Sequence, residues 1–495
     1  MSFAARVFML CLLGPLMLGA VREPGLARVL ERMRAASGSP FGTHVVSTYR
    51  RAGGSGEVVM SDSQGLRFFI RQCRDTLCFG TYFDGYRLYD VNMNATALPR
   101  SSGHEVALRG LRSIAGGAFL QPSFTREGGR IADGGRATFG GIVYRRLVVD
   151  QPDADGMDVL VDPRTWLVAE VRDLAVGEGM SLRDYRKVGP LTLPFESVRY
   201  GGPVTRYEDR HVAGEPLVAP HGLVPQAGSA PTDMALDAGG GTPVGSCELG
   251  GIATKCLLDT GNSGIAISLE LAEQLHANPI GAFEVSGLGD YATEVVRAGP
   301  LIVGNMHFPE AAYVVLHDIH RYGYDIVLGA DVIASTRLSI DYARHAITFN
   351  APADVSEGVG IPLSFENFVP VTDVGLGSLS ARLAVDTGDQ SAINLAYGYF
   401  SSHSDLFKAT RVQAVSGVGG SSFEYIGEIP MVTVGDYRIS AQPIGTTRTL
   451  RGTAQGHLGA GVLAHFRVVL DYARSRMTLF ARDGDRAVLR VPPAP

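Results

Sequence analysis

KCLLDTG, residues 255–261, returns as RLAVDTG at residues 382–388, an offset of 127. At the same offset Pro243 meets Pro370, Leu249 meets Leu376 and Gly250 meets Gly377. A three-residue insertion in the second copy then moves the offset to 130. There VSGLG (285–289) meets VSGVG (415–419), Leu328-Gly329 meets Leu458-Gly459, and DYAR from Asp341 meets DYAR from Asp471. A period this long is not that of a solenoid. Two copies of one unit imply a pseudo-twofold body whose axis lies where both copies present the same chemistry to each other.

Each copy sets an apolar run before Asp-Thr-Gly, so Asp259 and Asp386 should emerge at the ends of buried strands, with the glycine allowing a tight turn. Helix-compatible stretches follow, 269–276 and about 397–407, and a second apolar strand ends at Leu-Gly in each copy. The order Asp-Thr-Gly, Gly-rich hairpin, apolar-Gly, Asp-Tyr resembles the pepsin-type and retroviral-type (retropepsin-like) aspartic proteases, most of all the bacterial exported members. The resemblance covers roughly the last half of the chain and has two complete instances.

What the resemblance implies is a mainly β protein with a two-lobed, acid-protease-like β-barrel unit, lobe 1 over 229–352 and lobe 2 over 353–482. Asp259 and Asp386 would be its catalytic pair. Thr260 and Thr387 would bond across to the opposite loop, Gly261 and Gly388 would let the main chain approach the carboxylates, and Gly287, Gly289, Gly417 and Gly419 would lie in flap hairpins. Amide hydrolysis needs one group to take a proton from water and another to give one. Two adjacent carboxylates cannot both ionise, so they share one proton, and the aspartic-protease pair is the standard instance of that rule. The implied activity is that of an endopeptidase hydrolase on extended peptide or protein substrates, without metal or other cofactor, in a monomer. The alternative is a non-catalytic exported protein that binds peptide or lipid on a remnant protease fold.

Two positions depart from the family pattern. Asn262 and Asp389 stand where Ser, Thr or Ala is usual. Asp389 turned inward would raise the pair's apparent pKa; the expectation is an outward, solvated turn residue. His457 replaces Val327 of the first copy and is expected to be packed or exposed without a catalytic part.

The remainder of the 495 residues reads as follows. At 45% apolar, 19% charged and 62 glycines, the composition is globular and turn-rich. A net charge of −6 with scattered Lys and Arg gives no footing for nucleic acid. Residues 1–20 carry Arg6 and an apolar run to Ala20, a secretory signal pattern that predicts export to the periplasm or medium, an uncleaved anchor being the other reading. Beyond Cys11, four cysteines form two local pairs, Cys73 with Cys78 and Cys247 with Cys256, expected as disulfides in an exported chain; zinc would need tighter, repeated spacing. Residues 21–228 show strand-and-turn texture and form a β-rich accessory domain. Its closing DYRKVGPLTLPF loosely resembles the end of bacterial lipoprotein-carrier-like half-barrels. Residues 213–243, dense in Pro, Gly and Ala, read as linker, and 483–495 as a tail. No G-x-S-x-G, H-E-x-x-H or phosphate-loop motif is found.

Overall fold

The computed structural model describes residues 24–491 apart from 39–43, 52–53, 62–66, 75, 101–113, 127, 152–153, 174, 176, 216, 238–240, 354–357, 408 and 448–452. The signal segment with Cys11 and the last four residues of the tail therefore lie outside the described residues. The protein is mainly β, with short helices and several antiparallel sheets. Among the described residues no helix is long and apolar enough to cross a membrane.

The first sheet has thirteen strands in a meander. From the edge strand Ala97–Pro99 it steps back to His44–Arg51, which pairs antiparallel with Val204–Ala213, and then steps back again to the other edge, Arg130–Phe139. Alternation builds it: in Ile142–Gln151, Arg145, Leu147 and Val149 are buried and their neighbours are not. The helix Leu26–Ser37 lays Val29 and Met33 against a core of Phe119, Leu147, Val149, Met157 and Val159.

The two sequence copies fold alike around their Asp-Thr-Gly strands. The hairpin Val244–Leu249 and Ile252–Leu258 corresponds to Val369–Leu376 and Leu379–Asp386, and each leads to a buried strand, Ile265–Ser268 or Ile393–Ala396. Short helices follow at Leu269–Gln274 and Tyr397–Ser402, within the stretches expected from sequence. Each copy has its own nine-stranded sheet, and parallel pairings at the centre explain why these strands are buried on both faces. A six-stranded sheet joins the copies: Leu338–Asp341 pairs antiparallel with Phe466–Asp471, Leu338 opposite Leu470 and Asp341 opposite Arg467. Its edge comes from the stretch expected as linker, where Thr232–Ala235 pairs with Ala346–Phe349.

The thirteen-stranded sheet grips the first copy. Asn92 Nδ2, Asn94 Nδ2 and Thr96 Oγ1 donate to the Asp331 carboxylate at 2.6, 2.7 and 2.5 Å, and Asn92 Nδ2 also reaches Ser263 O at 3.1 Å, in the loop after Asp259. Burial pushes the Asp331 pKa up even so, against the pull of those three donors. Further along, Thr76 donates to Ile280 O, Leu77 enters the apolar cluster of Val285 and Val295, and Phe79 stacks on Phe283.

One expected disulfide is present and one is not. Cys73 and Cys78 face each other directly across a hairpin and are bonded. Cys247 and Cys256 are buried free thiols. The register explains the correction: Cys247 stands opposite Thr254 and Cys256 opposite Gly245, so the two sulfurs meet only diagonally. Burial, and then the neighbouring Cys247, push the Cys256 thiol well above its ordinary pKa, which keeps it protonated and inert. Alkylation of the chain unfolded without reductant should label Cys247 and Cys256 and leave Cys73–Cys78 linked. A recovered Cys247–Cys256 peptide would contradict this.

Candidate active site

Both aspartates are anchored to the Leu-Gly strand of their own copy. The Asp259 N–H donates to Leu328 O at 3.0 Å, and Asp386 pairs in parallel register with Gly459. This is the structural reason for the Leu-Gly recurrence. The two loops then cross-bond. Thr260 Oγ1 donates to Val385 O at 2.6 Å and accepts from the Thr387 N–H at 3.0 Å. Thr387 Oγ1 donates to Leu258 O at 2.8 Å and accepts from the Thr260 N–H at 3.1 Å. Both threonines are buried, at 1% and 0% exposure, so losing either hydroxyl would strand a buried amide and a carbonyl, about 1–3 kcal/mol each.

Glycine is required after each threonine. A Cβ on Gly261 would lie 2.6 Å from Asp386 Oδ2, and one on Gly388 2.6 Å from Asp259 Cγ. Each Asp is thus packed against the other copy's loop. Each also accepts from its own turn: Gly261 N–H to Asp259 Oδ1 at 2.8 Å, and the Gly388 and Asp389 N–H groups to Asp386 Oδ1 at 3.0 and 3.1 Å.

The pair is electrically unequal. Burial first, and then the charge of Asp386, push the Asp259 pKa well above the carboxylate range. Asp386 is also raised by burial, but the positive charge of His457 opposes the rise. His457 Nδ1 lies 3.6 Å from both Asp386 Oδ2 and Asp389 Oδ2. Burial alone would lower the His457 pKa, yet the Asp389 carboxylate beside its Nδ1 and the charges of Asp386 and Asp259 raise it. Asp389 in turn is held below its ordinary value because His457 outweighs its burial. The charge of His457 thus biases the pair toward ionisation at Asp386, while burial drives both carboxyls toward their protonated forms.

One expectation is corrected here. Asp389 is not an outward turn residue: its carboxylate is 17% exposed, with Oδ1 accepting from the Ser391 N–H at 2.8 Å and Oδ2 turned to His457. His457, 26% exposed, belongs to the charged cluster. Register puts it there, since His457 pairs with Ala384 on one side and Asn394 on the other, where the first copy has Val327 between Leu257 and Ala266. Asn394 Nδ2 in turn donates to Glu424 at 2.9 Å, whose pKa burial pushes up. Sequence reading missed Asn394 and Glu424; the Val-to-His difference between the copies was the available signal.

The glycine-rich hairpins meet tip to tip. Pro279–Ser286 and Asp290–Ala298 form one, Ala409–Gly417 and Gly420–Val434 the other. The Leu288 N–H donates to Val418 O at 2.8 Å, and a Cβ on Gly287 or Gly289 would strike Val418 O or Gly419 O. Gly419 has φ +86°, a conformation that excludes most side chains. Val418 joins the cluster of Val285, Tyr291, Tyr324 and Val327, while burial and the charge of Asp259 push the Tyr324 pKa up. An apolar wall thus connects the hairpin tips to the neighbourhood of the carboxylates. No family model matches this chain, and no curated protein matches it.

Proposed function

We propose that residues 229–482 are a two-lobed aspartic endopeptidase of the retropepsin-like type, complete in one chain and acting after export on extended peptides. The observation that supports it best is the reciprocal bonding of Thr260 and Thr387, which holds the loops of Asp259 and Asp386 against each other, so that the two carboxylates can share one proton. Two hairpins joined at their tips fit a double flap that parts for a peptide strand and closes to exclude water. The Cys73–Cys78 disulfide agrees with an oxidising compartment.

In this reading Asp386, kept ionised by His457, takes a proton from the attacking water, and the oxygen adds to the peptide carbonyl carbon. Asp259 gives its proton to the carbonyl oxygen as that oxygen gains charge. Collapse of the tetrahedral species breaks the C–N bond. The proton held by Asp386 passes to the leaving nitrogen, and Asp259 recovers its own from the hydroxyl, so the site is ready for the next turnover. The crossed threonines keep the two loops, and so the two carboxylates, in fixed relation through both steps.

The test is incubation of the purified chain with a denatured protein between pH 3 and 8, with new termini identified by mass spectrometry. Cleavage that a statine-type peptide blocks is expected. An absence of cleavage across the whole range, repeated with a mixed-sequence peptide pool, would contradict the proposal.

A further inference from the structure

The helix Leu26–Ser37 and the thirteen-stranded sheet line a partly open cavity of about 270 Å³, in a part of the molecule that the peptidase reading does not use. Its wall is largely apolar, with Met33, Tyr49, Phe68, Trp166, Leu182 and Leu191 prominent. That space accommodates roughly twenty water-sized groups. Walls this poor in polar atoms suit a hydrocarbon chain rather than a water cluster.

Arg210 belongs to the same wall and is 8% exposed. Its Nε donates to Ser47 Oγ at 3.0 Å, a terminal nitrogen donates to Pro194 O, and its guanidinium lies 4.2 Å from the centre of the Tyr207 ring. All of these partners are neutral. Other arginines of the sheet have acids: Arg145 has Asp133, Arg146 and Arg172 share Asp158, and Arg199 has Glu178. Arg210 has no carboxylate partner among the described residues. A buried cation without a counter-charge is unfavourable, and burial pulls its pKa below the ordinary value. Trp166 is a second unusual feature of the wall. It sits at φ +60°, a conformation a bulky side chain rarely adopts, and is held by its N–H to Asp162 O at 2.8 Å and by Arg32 over its ring.

We propose that this cavity binds a long-chain fatty acid, the chain lying along the apolar wall and the carboxylate pairing with Arg210. The ligand supplies the counter-charge that the sheet withholds, and a planar carboxylate suits the guanidinium fork. The site stands or falls independently of the peptidase reading, because its test involves no cleavage.

The chain's single tryptophan, Trp166, lines the cavity and serves as the probe. Titration of the full chain with 9,10-dibromostearic acid should quench its fluorescence saturably, through contact of bromine with the indole. The matching dibromo-alcohol, with the same chain but no charge, should bind at least about tenfold more weakly. Arg210→Met should remove that preference and Arg210→Lys should retain part of it, with thermal melting to establish that each variant is folded. Absence of saturable quenching by the acid, or equal affinity for acid and alcohol in the wild type, overturns the proposal without recourse to any variant. Full preference surviving in folded Arg210→Met overturns the role given to Arg210.

Discussion

Asp259→Asn is expected to lower kcat/KM by about a thousandfold or more while leaving the protein folded. The substitution keeps the shape of the side chain and its contact with the Gly388 loop, but removes the acid that protonates the carbonyl oxygen. Acid–base assistance contributes on the order of 10² to 10⁴ in rate. Asp386→Asn should cost as much, by removing the base. Stability supplies a control with a definite sign. The folded-state pKa of Asp259 is raised, so its contribution is most favourable below the unfolded carboxylate pKa of about 4 and is lost as pH rises through the folded value. At neutral pH a neutral amide at 259 should therefore melt no lower than the wild type. An inactive variant that also melts far lower would have lost its fold, and the comparison would say nothing for catalysis.

His457→Asn should move both limbs of the pH–rate profile to higher pH. The imidazolium favours ionisation of Asp386 and, more weakly, of Asp259, so its removal raises both. On the acid side of the wild-type optimum the loss should be roughly tenfold, the scale of about 1.4 kcal/mol of lost charge stabilisation. The groups facing His457 are Asp386, Asp389, Asp259 and, through its charge, Glu424, all acidic. Its folded pKa is raised, so its stabilising contribution is full below about pH 6.5 and lost as pH rises through the folded value. His457→Asn should accordingly lower Tm more at pH 5 than at pH 9. A profile that keeps its limbs while activity falls uniformly would reduce His457 to a packing residue.

How much of this was legible in the chain depends on whether a feature is local. Asp259, Asp386 and their threonines and glycines could be found because an exact tripeptide recurred in register with prolines, leucines and glycines around it. The direction of their hydrogen bonds then follows from the copies facing each other. His457 was visible only as a difference between copies; its meaning depends on a strand register that sets it beside Ala384 and against Asp386, which no local pattern encodes. Asp389 was misread for the same reason, since a turn residue with one oxygen on the Ser391 N–H can still aim the other inward. Both cysteine pairs are local in sequence, yet only Cys73 and Cys78 face each other directly. The strand Thr232–Ala235 was hidden in a Pro- and Gly-rich stretch because its partner, Ala346–Phe349, lies far along the chain. Arg210 is silent in sequence, where Asp209 stands next to it; only the folded sheet, in which Asp209 turns to His211, leaves it without a carboxylate partner among the described residues.

The central claim, that the two copies make one proton-sharing site, is tested most directly by a double-mutant cycle on peptide cleavage. It compares the wild type, Asp259→Asn, Asp386→Asn and the double variant at matched concentration and pH, with melting curves to establish folding. If the two carboxylates work as one unit, either single change already disables it. The double variant should then be only slightly slower than the singles, far short of the product of their losses. Losses that multiply, or one folded single variant that keeps near-full activity, would contradict the account and place the chemistry elsewhere in the molecule.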